Sequence, residues 1–284
     1  MINEYEGGRL SFIFELCNIN MDSTDEQYKI TTSLFNSFRK TILVDIEKSP
    51  YKKAAKAIYR QQEKLNSLLQ SLLAIEKNEN AFYTIQVLTR SAIEHYVLGH
   101  YIWTKTRIDK DDKVGDEYYL QYNVSEFFKR ENYELRVDGI RLNIPNHNTF
   151  NNIIKKFPHF KELKDHELQE VHKRSHQFDI RTMLDYLNNQ IEQKDRFLQV
   201  HRHLLDALSE YNRLSSYVHG GPSAELETYE SIPNTDKILR IKDCITMTKI
   251  YTRMMKENLL FLFSEYDIKY LNAIHILLEL RKPS

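Results

Sequence analysis

The chain has 284 residues, 41% of them hydrophobic, and its 40 Lys+Arg balance its 40 Asp+Glu at a formal net charge of zero. That length suits one large domain or two small ones with a real core, and the charge balance excludes a nucleic-acid binder that works by bulk positive charge, while leaving a local basic patch open. With only 7 Gly and 6 Pro beside many Leu, Ile, Lys and Glu, the composition predicts an all-α protein.

The N-terminus, MINEYEGGRL, lacks the basic-then-apolar pattern of a signal peptide. Cys17 and Cys244 are far apart and form no CxxC. Both features point to a reduced, cytoplasmic setting, with the two cysteines as core residues rather than nucleophiles. Residues 1–21 contain LSFIFELCNI, which fits a short strand or a first helical turn equally well. Asp22-Ser23-Thr24 then offers a helix start, and residues 24–47 place Tyr28, Ile30, Leu34, Phe35, Phe38, Ile42, Leu43 and Ile46 at helical spacing. Ser49-Pro50 punctuates, because proline suits a first helical position.

Residues 51–77 form the next predicted helix, basic in its first half (Lys52, Lys53, Lys56, Arg60, Lys64) and leucine-rich in its second. The basic face reads as solvated surface. A short turn, Lys77-Asn78-Glu79-Asn80, leads into residues 81–103, AFYTIQVLTRSAIEHYVLGHYIW, the longest apolar stretch and the one around which the sequence is organised. It predicts a helix of about six turns, packed antiparallel on its predecessor. A helix apolar nearly all round is normally buried, yet this one carries Arg90 and Glu94 at i, i+4, adjacent on its surface. Its length approaches a bilayer span, but Arg90, Glu94, His95 and His100 within it argue against a membrane.

Residues 105–125 are charged and apolar-poor, which predicts a loop or linker. Residues 125–195 read as an insertion: short apolar runs broken by Gly139, Pro145 and Pro158, a small hairpin suggested by the alternation in ELRVDGIRLNI, and a polar helix near 161–177. Strong periodicity returns in 194–219, with Phe197, Val200, Leu204, Leu208, Tyr211 and Ser215 on one face, and stops at Gly220-Gly221-Pro222. A loop at 221–235, a long helix from Thr235 or Asp236 to Phe263, and a terminal helix at 266–280 complete the chain. The expected architecture is an antiparallel bundle of helices 51–77, 81–103, 196–219 and 236–263. Its expected division is an N-terminal segment at 1–50, a bundle core at 51–106 and 194–284, and an insertion at 107–193 between the second and third bundle helices. Glycine-rich phosphate loops, G-x-S-x-G elbows and H-E-x-x-H are absent.

The first candidate for chemistry is Arg213-Leu-Ser-Ser-Tyr-Val-His219, an arginine, five residues and a histidine at a helix end. A histidine can move a proton to or from a ribose 2′-hydroxyl or a leaving oxygen, and an arginine can hold a phosphate through two donors. On a regular helix, six residues at about 100° each leave the two side chains roughly 120° apart. They converge only if the helix ends or tightens before His219, which Gly220-Gly221 permits.

This segment resembles the R-x(4–6)-H motif of HEPN ribonucleases, helical bundles that dimerise and cut RNA without a metal. One departure is Leu214, where those enzymes usually carry a polar residue. More widely, Arg90–Glu94 (R-x-x-x-E) together with Tyr211, Leu214, Ser215, Tyr217 and His219 in YNRLSSYVHGG looks like an uncharacterised bacterial all-helical family. That family has an R/S-x-x-x-E helix and a later Y-x-x-L-S-x-x-x-H segment, and no activity is firmly attached to it. The resemblance implies a HEPN-like bundle and a homodimer acting on RNA without cofactor or metal, as a toxin or antiviral effector with an antitoxin or other protein partner. Arg213 and His219 would be catalytic, and Arg90, Glu94 and Tyr217 supporting. The competing reading is a non-catalytic helical module that binds a protein or small ligand, in which Arg90, Glu94 and His219 form a polar network that sets helix register.

Two further patterns stand apart from this motif. His159, His166, His172, His176, His201 and His203 cluster in sequence, and His172/His176 at i, i+4 have a metal-clamping spacing; without Cys or H-E-x-x-H they read as a solvated polar helix. Phe127, Phe128, Lys129, Arg130, Tyr133 and Arg136 interleave rings with positive charge, which suits base stacking and phosphate binding or simple docking of the insertion.

Overall fold

The computed structural model describes residues 24–142, 162–190, 199–230 and 233–279, and all regular structure among them is helical. In chain order the helices are α1 (Thr24–Ser37), α2 (Ile42–Lys48), α3 (Lys52–Ile75), α4 (Phe82–Asp109), α5 (Lys113–Glu117), α6 (Asn123–Leu142), α7 (Asp165–Ser175), α8 (Ile180–Gln190), α9 (Gln199–His219), α10 (Pro222–Glu225), α11 (Asn234–Ser264) and α12 (Ile268–Glu279). Single π-helical turns follow α5 (Tyr118–Tyr122) and α10 (Leu226–Glu230).

The all-α expectation holds, and the long helices 51–77, 81–103, 194–219 and 236–263 correspond to α3, α4, α9 and α11. Helices α3 and α4 form an antiparallel hairpin across the short connection at 76–81. The head of α3 sits beside the tail of α4, where Asp112 Oδ2 and Oδ1 accept from the Lys53 and Ala54 amides at 2.8 and 2.7 Å. These amides belong to the first turn of α3, where backbone donors have no partner within the helix. Ala54, Ala55, Ala57, Ile58, Leu65, Leu69 and Leu72 line the buried side of α3. Each buried leucine contributes roughly 2 kcal/mol.

Several local expectations change. The stretch 24–47 is two helices, α1 and α2, separated by a turn at 38–41 in which the Thr41 and Ile42 amides both donate to the Phe38 carbonyl. The expected loop at 105–125 is helical almost throughout. Asp109, Lys110, Asp111, Lys113 and Asp116 are exposed, while Val114 and Gly115 are buried against α3. A Cβ on Gly115 would lie 2.3 Å from the Ala54 nitrogen, so only glycine permits this approach. The hairpin suggested by ELRVDGIRLNI is instead the end of α6, because alternation over a few residues without a partner strand does not outweigh a continuous helix. The residues after Leu142 in that segment, like LSFIFELCNI, lie outside the described ones. Within the expected insertion, α8 buries Met183, Leu184 and Leu187 in the main core, and Phe178 joins them. The expected loop at 221–235 holds α10 and the second π turn.

The long apolar helix α4 is central as expected, and it shares the core with α11. Every residue from Tyr251 to Phe263 is buried. Helix α11 packs against α4, α3, α1 and α12, and α9 and α8 close over the other side of α4. At Gly99 on α4 an added Cβ would meet Met255 Cε of α11 at 2.5 Å, so the end of the Met255 side chain lies directly on the α4 backbone. Polarity concealed this arrangement in the sequence: Arg253, Lys256, Glu257 and Asn258 are all buried on α11.

Candidate functional site

Helix α9 carries the Arg213–His219 segment and lies against the first half of α4. Leu204, Ala207, Leu214 and Tyr217 are its buried side. It ends where the glycine pair dictates. Gly220 has φ +62°, the Gly221 amide donates to the Ser216 carbonyl at 2.7 Å, and the Gly220 amide points back to the Tyr217 carbonyl. This is the Schellman closure that a glycine just past a helix end provides. The chain then turns through α10 and the 226–230 π turn, folding back along α9, with the Ala224 amide donating to Ser216 Oγ at 3.2 Å.

That return places Glu227 between two arginines from different helices. Glu227 Oε2 accepts from Arg213 Nη1 at 3.2 Å, from Arg240 Nη1 of α11 at 2.6 Å and from the Tyr217 hydroxyl at 2.6 Å. Arg213 is engaged on its other donors as well. Nε and Nη2 donate to Glu210 Oε2 at 3.0 and 2.8 Å, and Nη2 also reaches Gln86 Oε1 of α4 at 2.8 Å. The Gln86 amide in turn donates to the Cys244 Sγ at 3.6 Å. Two guanidiniums thus face two carboxylates. Burial weakens the hold of Arg213 on its proton, but Glu210 and Glu227 more than offset it, leaving the guanidinium pKa raised. Burial, reinforced by the hydrogen bond to Glu227, pushes the Tyr217 hydroxyl well above its ordinary value, so it stays a donor. Burial also raises the Cys244 thiol, and its place inside the core suits a packing role rather than a nucleophile.

A second cluster lies one turn back along the α4–α9 contact. Arg90 donates through Nη1 to Glu94 Oε1 at 3.1 Å, through Nη2 to the Tyr211 hydroxyl at 2.9 Å and through Nε to Ser215 Oγ at 3.3 Å. Its guanidinium also sits 4.7 Å above the Tyr211 ring. The YNRLSSYVH segment therefore divides its polar side chains. Tyr211 and Ser215 serve Arg90, while Arg213 and Tyr217 serve Glu227.

Four of the five site residues singled out in the sequence fall in these clusters: Arg90 and Glu94 in one, Arg213 and Tyr217 in the other. His219 is exposed at the last position of α9. Among the described residues no hydrogen bond joins it to Arg90, Glu94 or Arg213. Glu210, Glu227, Arg240 and Gln86 complete the Arg213 cluster and were not singled out in the sequence. The Glu210/Arg213 spacing of i, i+3 was readable, whereas Glu227 and Arg240 are brought in by the Gly-Gly-Pro turn and by α11, which no local pattern announces.

The remaining candidates fall elsewhere. Among the described residues no group of three or more His, Cys, Asp or Glu is placed to hold a metal. His166 is exposed, and His176 bonds Asp179 at 2.9 Å. His159 and Cys17 lie outside the described residues, as do the side chains of His172, His201 and His203. Of the aromatic–basic mixture, Phe127 and Phe128 pack on the buried Leu168, joining α6 to α7, and Arg130 lies 5.5 Å from the Phe127 ring. No helix among the described residues is long and apolar enough to cross a membrane. No protein-family model, curated protein or solved structure matches the chain.

Proposed function

We propose that the chain is a metal-independent endoribonuclease of the HEPN type, cytoplasmic and dimeric, with Arg213 binding a substrate phosphate and His219 moving the proton. One observation carries this reading: the Arg213 and Arg240 guanidiniums and the Tyr217 hydroxyl converge on a single oxyanion, Glu227 Oε2. That donor set also suits a phosphodiester, whose oxygens accept from guanidinium and hydroxyl groups in the same way. His219 stands exposed at the end of the helix that supplies Arg213 and Tyr217. In the proposed step a 2′-hydroxyl gives its proton to the imidazole, the 2′-oxygen attacks phosphorus, and the 5′-oxygen leaves and takes up a proton. The products are a 2′,3′-cyclic phosphate and a 5′-hydroxyl, and no metal is needed to balance the step. A HEPN-like bundle with its insertion at 107–193, and a toxin or antiviral role, belong to the same proposal and rest on the sequence resemblance.

A second reading, a non-catalytic helical module that binds a protein or small ligand, is favoured by a different observation. The Arg213 donors are already met by Glu210, Glu227 and Gln86. In that reading the cluster sets the register of α4, α9 and α11. The discriminating experiment is RNA cleavage by purified protein in excess chelator, with wild type beside His219→Ala and Arg213→Ala. Cleavage that survives the chelator and is lost in both variants supports the ribonuclease. Intact RNA over a broad panel, with a folded wild type, favours the binding module.

A further inference from the structure

The segment 222–230 is held to the bundle in an unusual way. Ala224 is buried, but the larger apolar side chains, Leu226 and Tyr229, are 49% and 78% exposed. Hydrophobic burial therefore contributes little to its seating. The contacts that hold it are polar: Ala224 to Ser216, Lys237 Nζ to the Thr228 carbonyl, and above all Glu227 to Arg213, Arg240 and Tyr217. Its upstream end is the glycine pair, where Gly220 already sits at positive φ and a Cβ at Gly220 would meet nothing within 4 Å. Such a segment can lift from α9 by exchanging carboxylate contacts for others of the same kind, without opening the core.

We propose that the Glu227 carboxylate occupies the position of a substrate phosphate, and that Arg240 and Tyr217 join Arg213 in holding that phosphate when residues 222–230 lift away. This inference rests on the reading of Arg213 as an RNA-phosphate ligand, and it names Arg240, on a different helix, as a further binding residue. The charges fit. With Glu227 in place, two guanidiniums face two carboxylates. With Glu227 withdrawn, Arg213 and Arg240 face Glu210 alone, and the single excess positive charge matches the single negative charge of a phosphodiester. Two guanidiniums approaching from α9 and α11 can also donate to a phosphate from two directions, each to one or two of its oxygens. In this arrangement the site is closed by its own glutamate.

The test compares wild type, Glu227→Ala, Glu227→Gln, Arg240→Ala and the Glu227→Ala/Arg240→Ala double variant, each first shown folded by thermal unfolding. A labelled single-stranded RNA serves as one probe, with binding and cleavage both followed, and inorganic pyrophosphate serves as the second. Releasing the site is expected to tighten binding of both probes roughly tenfold in Glu227→Ala, equivalent to about 1.4 kcal/mol. A smaller gain is expected in Glu227→Gln, and the gain is expected to disappear in the double variant. If wild type cleaves RNA through Arg213 and His219 but Glu227→Ala neither binds nor cleaves better, the closing role of Glu227 is overturned and the ribonuclease reading stands. Tighter, Arg240-dependent pyrophosphate binding by Glu227→Ala, with every RNA left intact, supports the closed anion site and overturns the ribonuclease. If Glu227→Ala binds neither probe more tightly and wild type leaves RNA intact, both fall.

Discussion

Two polar clusters in this molecule are built from nearly the same parts and sit roughly 20 Å apart along α11. Beneath α1, the residues Arg253, Lys256 and Glu257 are 1%, 2% and 6% exposed. Glu257 accepts from Thr31 at 3.0 Å and lies 3.7 Å from Arg253 Nε; Arg253 also bonds Gln27, and Lys256 donates to Thr32 at 2.8 Å beside the Tyr28 ring. At the other position, Arg213, Arg240 and Glu227 have side chains 27%, 37% and 23% exposed and are bridged by a segment that starts at a glycine pair. Each set joins two cations to glutamate and hydroxyl groups, with Glu210 as a second carboxylate at the rim. The first is buried beneath α1, away from bulk water. The second is at the rim, so solvent or a ligand can replace any partner. Enclosure, not composition, separates a structural ionic cluster from a candidate site.

The largest expected effect tests the enclosed cluster. Glu257→Ala removes the carboxylate beside the buried Arg253, and breaking such a buried pair is expected to destabilise the fold by about 3 kcal/mol or more in urea unfolding. A loss below about 1 kcal/mol would erase the distinction between the two clusters. Next is pH. Burial holds Lys256 down to about 8 from an ordinary 10.5. Between those values the unfolded chain binds the extra proton, so the contribution of Lys256 to stability rises as pH increases from about 8 to 10.5, and below 8 its buried charge is destabilising. Unfolding of wild type against Lys256→Met across this range is expected to move by about 1–3 kcal/mol in favour of wild type at the alkaline end. A pH-independent difference would show that Lys256 is solvated.

The rim clusters are expected to respond less. Glu227→Gln keeps the shape of the side chain and removes only its charge from partly exposed pairs, so the predicted loss is about 1 kcal/mol or less. A loss as large as that of Glu257→Ala would make the 222–230 segment part of the core and rule out its lifting. The smallest effect is assigned to Glu94→Gln. Its ion pair with Arg90 is an i, i+4 pair open to water on the glutamate side, worth about 0.3–0.5 kcal/mol, while Tyr211 and Ser215 continue to hold the guanidinium. Salt sharpens the same contrast: 0.5 M NaCl is expected to shrink the Glu227 and Glu94 effects and leave that of Glu257 nearly unchanged.

How much was legible follows from which interactions are local. The helical class, the α3–α4 hairpin and the stop at Gly220-Gly221 are set by spacing, by scarce breakers and by one left-handed glycine, all properties of neighbouring residues. Arg90–Glu94 was legible for the same reason, being one turn apart on one helix. The deep burial of α11 was not, because Arg253, Lys256, Glu257 and Asn258 read as a solvated face until α1 is laid over them. Nor was the true role of 105–125, whose charges concealed Asp112 capping α3 from 58 residues away.

The sequence by itself determined the helical elements, their ends and the pairing of the adjacent long helices, since each depends on contacts within a turn or across a short connection. Only the tertiary structure decided which charges are enclosed and which are open. It set Glu227 between Arg213 and Arg240 and left His219 at the rim, because a charge takes its character from the partners and the water around it, and those arrive from residues distant in the chain.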